Sequence, residues 1–454
     1  MPAQDTSAGS RKLAWALVLL AFLSKVSASF TGVMPSQLGF VIFQGGIHPY
    51  LNVLLNLVLG GALLVSVYAR KEWPKLNRYH ALFVAFAIGT IVILWIQHIL
   101  QLLLEIETNT VLALITMSTC TFLICMFGLL IPQLIGARAF VEGVARICLV
   151  ICALSLLLLF AGAPAMWKGS RFIGIFKHIP YMVTCSTVGF LFTLQLWDEA
   201  APLLGKVKFV AAELIFLYCM WLTGTRSAPL AAMIGLVVFF LVYQSSSRGF
   251  RMARFLTVWL GIVGVVLFGA MAVEFGTDLA TGKVALGKRA PQDGVSDRME
   301  EVSRGLEMLE KSPHVGLGLL SKFSNSDSEE VVDSYNSFQD PHNLFISSSV
   351  VGGWPFGLWV LAGFVGLGVG CVALIRRREK PGLTIAVYLL SHMPILAIYH
   401  MHLSLGGLAD RFYWLSFGYL ALLLGRVKSP QFSDSEHYTV GAEPPNGVST
   451  PHPY

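Results

Sequence analysis

Residues 343–378 read NLFISSSVVGGWPFGLWVLAGFVGLGVGCVALIRRR. Between Asn343 and Ile375 nothing carries charge, and Arg376, Arg377 and Arg378 then follow as a block. A helix of about 20 apolar residues crosses a hydrocarbon core of about 30 Å. The stretch is therefore long enough to span a membrane, and its arginine block predicts a cytoplasmic end. Gly352-Gly353-Trp354-Pro355 predicts a break inside it, because Pro355 lacks the N–H that would continue the turn and its ring collides with the turn before.

The rest of the chain repeats the pattern. Of its 454 residues, 55% are hydrophobic and only 13% charged, with a mean hydropathy of +0.68; soluble domains hold about 25% charged residues. Apolar windows at 13–31, 50–69, 79–100, 109–135, 140–162, 181–197, 208–223, 226–243, 253–274, 343–375, 383–403 and 408–426 predict an all-α polytopic membrane protein of about twelve spanning helices. Basic residues gather on alternate connections, as at Arg70, Lys71, Lys75 and Arg78 and again at Arg248, Arg251 and Arg254, which predicts cytoplasmic termini. Arg11 and Lys12 open a first span rather than a cleaved leader, since further spans follow. On this reading 1–274 holds helices 1–9 and 275–341 forms one long loop outside the cytoplasm, between helices 9 and 10. Helices 10–12 occupy 342–426, and 427–454 is a disordered cytoplasmic tail.

Composition also excludes some functions. The seven cysteines all lie in apolar windows, so they read as small core residues and not as a disulfide framework. The net charge of +6 comes without a basic stripe interleaved with aromatics, so no nucleic-acid partner is expected. Twelve spans also suit a secondary transporter, but the two halves do not resemble each other as carrier repeats do.

Basic residues on the outer side oppose the insertion preference and need another reason. Arg226 lies in Thr223-Gly224-Thr225-Arg226-Ser227, a tight break between two spans, and Arg171 and Lys177 lie in another outer connection. An ionisable group at that depth is a candidate functional group, although a snorkelling arginine at a helix end is the simpler alternative. Arginine's planar fork holds phosphate oxygens bidentately and stays charged at any working pH, so converging arginines suggest a diphosphate. Arg138, Glu142 and Arg146, spaced four residues apart, instead predict a structural ion-pair row on one helix face. His392, His400 and His402 have no Cys or Asp cluster beside them and read as packed residues, not metal ligands.

Within the long loop, Ser296-Asp297-Arg298 opens an amphipathic helix with Met299, Val302, Leu306 and Leu309 on one side, ended by Pro313, Gly316 and Gly318. Arg298 in its first turn opposes the helix dipole. It is either simply exposed or aimed at an anion. Arg289, in the same loop, joins the candidates for binding a diphosphate or glycan. Asp340 and Pro341 predict the cap and first position of the next helix, which would set His342 and Asn343 in its first turn. Free amides there attract an anion, and the positive end of the dipole keeps an imidazole neutral and able to accept a proton. His342 is then a general base beside a phosphate, or else an ordinary surface histidine.

Taken in order, Arg171-Phe172-Ile173-Gly174-Ile175-Phe176, Thr223-Gly224-Thr225-Arg226-Ser227, the Arg298 helix and Pro341-His342-Asn343-Leu344 resemble the bacterial O-antigen ligase and polymerase superfamily, which also holds protein-glycosylating oligosaccharyltransferases. The resemblance implies a GT-C-like helical fold with one long periplasmic loop in the bacterial inner membrane. It implies a glycosyltransferase that moves O-antigen from undecaprenyl diphosphate to lipid A-core during lipopolysaccharide synthesis, inverting the sugar and using no metal or other cofactor. His342, Arg226 and Arg298 match its catalytic residues, with Arg171, Lys177, Asn343 and Arg289 on the substrate. An O-antigen polymerase or a protein O-oligosaccharyltransferase would share that donor site.

Overall fold

The structure, a computed structural model, describes residues 8–23, 49–71, 73, 76–104, 118, 121–122, 124–163, 166–168, 171–176, 179–199, 203–225, 227–242, 302–303, 305–318, 343–377, 380–399 and 408–425. Most of these are helical. In chain order the elements are α1 (Ala8–Leu23), α2 (Pro49–Ala69), α3 (Arg78–Leu103), a π-helical turn (Ile124–Leu130) running into the short α4 (Ile131–Leu134), and α5 (Ala137–Phe160). A ribbon of β1 (Trp167–Lys168) and β2 (Arg171–Phe172) follows, then α6 (Ile179–Glu199), α7 (Leu203–Leu222), α8 (Ser227–Val242), α9 (Leu344–Arg377), α10 (Lys380–Tyr399) and α11 (Leu408–Gly425).

Five of these helices are long and apolar enough to cross a membrane: α3, α5, α6, α9 and α10. Shorter apolar helices occupy Leu54–Ala69, Ile124–Leu134 and Ser227–Val242. The protein is thus a multi-pass helical membrane protein, and the bounds of α2, α3, α5, α6, α8, α9 and α11 follow the apolar windows to within a few residues, whereas α1 starts five residues ahead of its window and the described part of 109–135 holds a π-helical turn and the short α4. The window at 253–274, most of 275–341 and the tail from 427 lie outside the described residues.

Leu, Val and Phe side chains on every face explain why these segments are helices without a sharp polar stripe: in lipid each backbone group must bond within its own segment. Specificity comes from a few polar pins. Asn77 caps α3, its Oδ1 accepting from the amides of Tyr79 and His80, both at 2.9 Å, while its Nδ2 donates to Ala421 O at 3.3 Å near the end of α11. Arg377, ending α9, donates to Leu423 O at 2.9 Å. Thr384, early in α10, donates to Gln195 near the end of α6. These bonds set one end of the bundle, where Arg70, Arg78, Arg138, Arg376 and Arg377 also lie. Between the ends, Phe86 stacks on Trp359 and on Phe417, each at 5.2 Å between centroids.

Several local expectations are met. Glu142 pairs with Arg138 at 3.1 Å and Arg146 at 3.6 Å, with both arginines largely exposed. His392 is packed against Tyr388, ring centroids 5.6 Å apart. Cys148, Cys152, Cys185, Cys219 and Cys371 are buried free thiols. Three features depart from expectation. The β1–β2 ribbon pairs Trp167 with Phe172 and Lys168 with Arg171, where only a connection was foreseen. Arg411, a charge within the apolar window 408–426, is buried inside α11, 1% exposed, its guanidinium carbon 5.6 Å from the Phe127 ring centre. The helix after the long loop starts three residues later than Asp340 and Pro341 suggest: Asn343 is its cap, Oδ1 accepting from the amides of Phe345 at 3.1 Å and Ile346 at 3.2 Å.

Candidate functional site

The site is built around the break in α9. Gly352 (φ −127°) and Gly353 (φ 71°) leave helical geometry, as Gly-Gly-Trp-Pro foretells. Pro355 has no N–H for Val351 O, and the turn at Gly353 carries Trp354 N away from Val350 O. In the membrane these orphaned groups need new partners. The segment 313–318 supplies them. Leu317 N donates to Val350 O at 2.7 Å, Gly318 N to Val351 O at 3.0 Å, and Trp354 N to Pro313 O at 2.8 Å. Segment 313–318 is thereby fastened onto α9, directly after the helical residues 305–311.

The approach is close enough to require glycine twice. A methyl at Gly316 (φ 74°) would come within 2.5 Å of Val351 O and Gly353 N, and one at Gly353 within 2.5 Å of His314 O. Gln101, at the far end of α3 and 2% exposed, closes the junction: its Nε2 donates to Val315 O and to Val351 O, both at 2.9 Å.

The second part of the site is the β1–β2 ribbon. Phe172, Ile173, Ile175 and Phe176 are buried, and Ile175 N donates to Ser155 Oγ at 3.2 Å, so Arg171 is carried on a segment anchored in the bundle. α7 packs against β2. A methyl at Gly224 would meet Arg171 Cγ at 4.0 Å, which brings Arg171 beside the turn after α7. That turn is stiffened by Thr223, whose Oγ1 donates to Met220 O at 2.7 Å and lies 2.7 Å from Thr225 Oγ1. Arg226 is the next residue.

Both parts lie at the end of the bundle opposite the basic end. The α9–α10 connection at Arg377 and Lys380 lies with the end of α6, so the starts of α6 and α9, the ribbon and the turn after α7 lie together at the other end. Among the site residues expected from sequence, Arg171 and Asn343 are described and sit at this end. Arg226, Arg298, His342, Lys177 and Arg289 lie outside the described residues, although Arg226 is bounded by Thr225 and Ser227, and His342 immediately precedes Asn343. Among the described residues no group of three or more His, Cys, Asp or Glu is placed to hold a metal ion.

Two side chains were missed by sequence reasoning. Gln101 lies in an amphipathic-looking run with Gln97 and His98, all three buried, and that unusual polarity within an apolar window was the available signal. Arg411 offered only its charge, set inside the apolar window 408–426.

No curated protein matches the chain. Residues 211–362, from the middle of α7 to the middle of α9, match the O-antigen ligase family model, a match over a third of the chain that supports membership of the O-antigen ligase superfamily.

Proposed function

We propose that the protein is an O-antigen ligase, transferring O-antigen from undecaprenyl diphosphate to lipid A-core at the periplasmic face of the inner membrane. The observation that carries this reading is that the matched segment 211–362 holds Arg226, Arg298 and His342 together. The fastening of 313–318 onto α9 at Val350 and Val351 supports it, and so does Arg171 beside Gly224.

A sugar on a lipid diphosphate already has a weakly basic leaving group, so transfer needs charge stabilisation more than a proton on that group. Arg226, Arg298 and Arg171 supply it, with Lys177 and Arg289 holding the remaining phosphate or glycan oxygens. His342 accepts the proton of the acceptor hydroxyl as its oxygen bonds to the anomeric carbon. The bond from that carbon to the diphosphate breaks, and the electron pair leaves with undecaprenyl diphosphate. Attack opposite the leaving group inverts the sugar. A secondary transporter, compatible with the count of spans alone, has no support from the family match.

The test is transfer in liposomes holding the purified protein, lipid-linked glycan and lipid A-core, with and without EDTA. Replacing His342 with alanine is expected to lower transfer by about 10²–10⁴-fold while the protein still inserts, and EDTA to leave transfer unchanged. Normal transfer by His342→Ala would remove the base assignment. A product in which repeat units join one another with lipid A-core unmodified would make the protein a polymerase; glycan on a protein acceptor would make it an oligosaccharyltransferase.

A further inference from the structure

Gln101 is remote from the candidate residues in sequence, yet it bonds both to segment 313–318 and to α9, which begins beside Asn343. Val315 belongs to the polar segment that includes Arg298, and Val351 lies two turns after the Asn343 cap, which follows His342. A single amide nitrogen has two N–H groups, and here each is spent on one carbonyl, at 2.9 Å in both cases. The acceptors are unusual ones. Val351 O is exposed by the absence of an N–H on Pro355, and Val315 O lies in a turn that has no helical ladder to join.

The backbone bonds from Leu317 and Gly318 to Val350 and Val351, and from Trp354 to Pro313, set the register of segment 313–318 against α9, and none of them reaches a third element. Gln101 fixes that junction to α3, whose other end is pinned by Asn77 to α11. The side chain is 2% exposed, so water does not compete for its donors; an apolar replacement takes the Gln101 donor from Val315 O and leaves Val351 O with Gly318 N alone.

We infer that Gln101 is a positioning residue for the transfer reaction, holding segment 313–318 and the broken turn of α9 in one fixed arrangement. The inference rests on the proposed ligase reading for its effect on turnover, though not for its effect on the junction. Catalysis of this kind depends on groups held to within a fraction of an ångström, and small displacements at a distance from the chemistry lower turnover steeply.

Two measurements on the full chain in nanodiscs test it: hydrogen exchange at the amides of Leu317 and Gly318, and steady-state transfer of lipid-linked glycan. Gln101→Met keeps length and removes both donors; Gln101→Glu keeps shape and, as a buried neutral acid, offers at most one O–H in place of two N–H groups. Both are expected to speed exchange at Leu317 and Gly318 by about tenfold or more, and to lower kcat by a similar factor with KM for the lipid donor held within about threefold. Gln101→Lys, which restores N–H donors at comparable reach, is expected to recover most of the exchange protection and of kcat. Unchanged exchange in the Met and Glu variants would overturn the inference. Faster exchange with undiminished kcat, or a Lys variant no better than Met, would do so too. If His342→Ala proves fully active, the ligase reading fails, while the exchange measurements still decide whether Gln101 holds the junction.

Discussion

Asn343 has a job that its amide oxygen performs alone. It accepts from the amides of Phe345 and Ile346, so two of the first-turn donors expected to face an anion are already engaged by the protein. Aspartate can cap equally well and adds a charge that suits the helix dipole, whereas alanine gives up the cap at a cost of about 1 kcal/mol. Asn343→Ala is therefore expected to lower the thermal midpoint and Asn343→Asp to preserve it. Transfer then separates the roles. An Asp variant with normal stability and normal transfer confines Asn343 to capping; normal stability with lost transfer assigns its Nδ2 to the glycan. The sequence held this ambiguity openly, because Asp340 and Asn343 are both good cap residues and hydrophobic periodicity does not choose between starts three residues apart.

The junction between segment 313–318 and α9 is an element-scale feature, and its glycines are its most exacting part. Gly316→Ala and Gly353→Ala each force a left-handed backbone onto a residue with a Cβ and drive that Cβ to 2.5 Å from backbone atoms. Each is expected to cost about 1–3 kcal/mol, read as loss of thermal stability. Because both disrupt one interface, the double variant should cost less than the sum. Gly366 and Gly368, further along α9, have open space where a Cβ would stand. There alanine is expected to be neutral or to stabilise by about 0.5–1 kcal/mol through helix propensity. The break itself was legible, since Gly-Gly-Trp-Pro leaves a helix few options. Its partner was not: the bonds that satisfy it are backbone to backbone, and no side chain in either segment announces them. The π-helical turn at Ile124–Leu130 and the β1–β2 ribbon escaped notice for the same reason, being backbone choices made by packing.

At the scale of the whole molecule, the alternation of basic and polar ends makes a topological prediction. Cysteines placed at the exposed Arg70 and Arg376 are expected to resist a membrane-impermeant maleimide in intact spheroplasts, and those at the exposed Glu310 and His314 to react. Labelling of Arg70→Cys and His314→Cys from the same side would overturn the arrangement. The spans were the most legible part of the chain because a continuous apolar window of sufficient length has one stable outcome in lipid. The depth of Arg411 was hidden, since its burial depends on the neighbouring turn at Phe127 rather than on its own segment. The Gln101 bonds join residues 214 and 250 positions apart. Synthesis proceeds from the N-terminus and early segments settle first, so α3 waits in the bilayer with this donor pair unanswered until nearly four-fifths of the chain has left the ribosome. The end of α3 away from Asn77 cannot complete its bonding before then, and the junction of segment 313–318 with α9 is consequently among the last places to set.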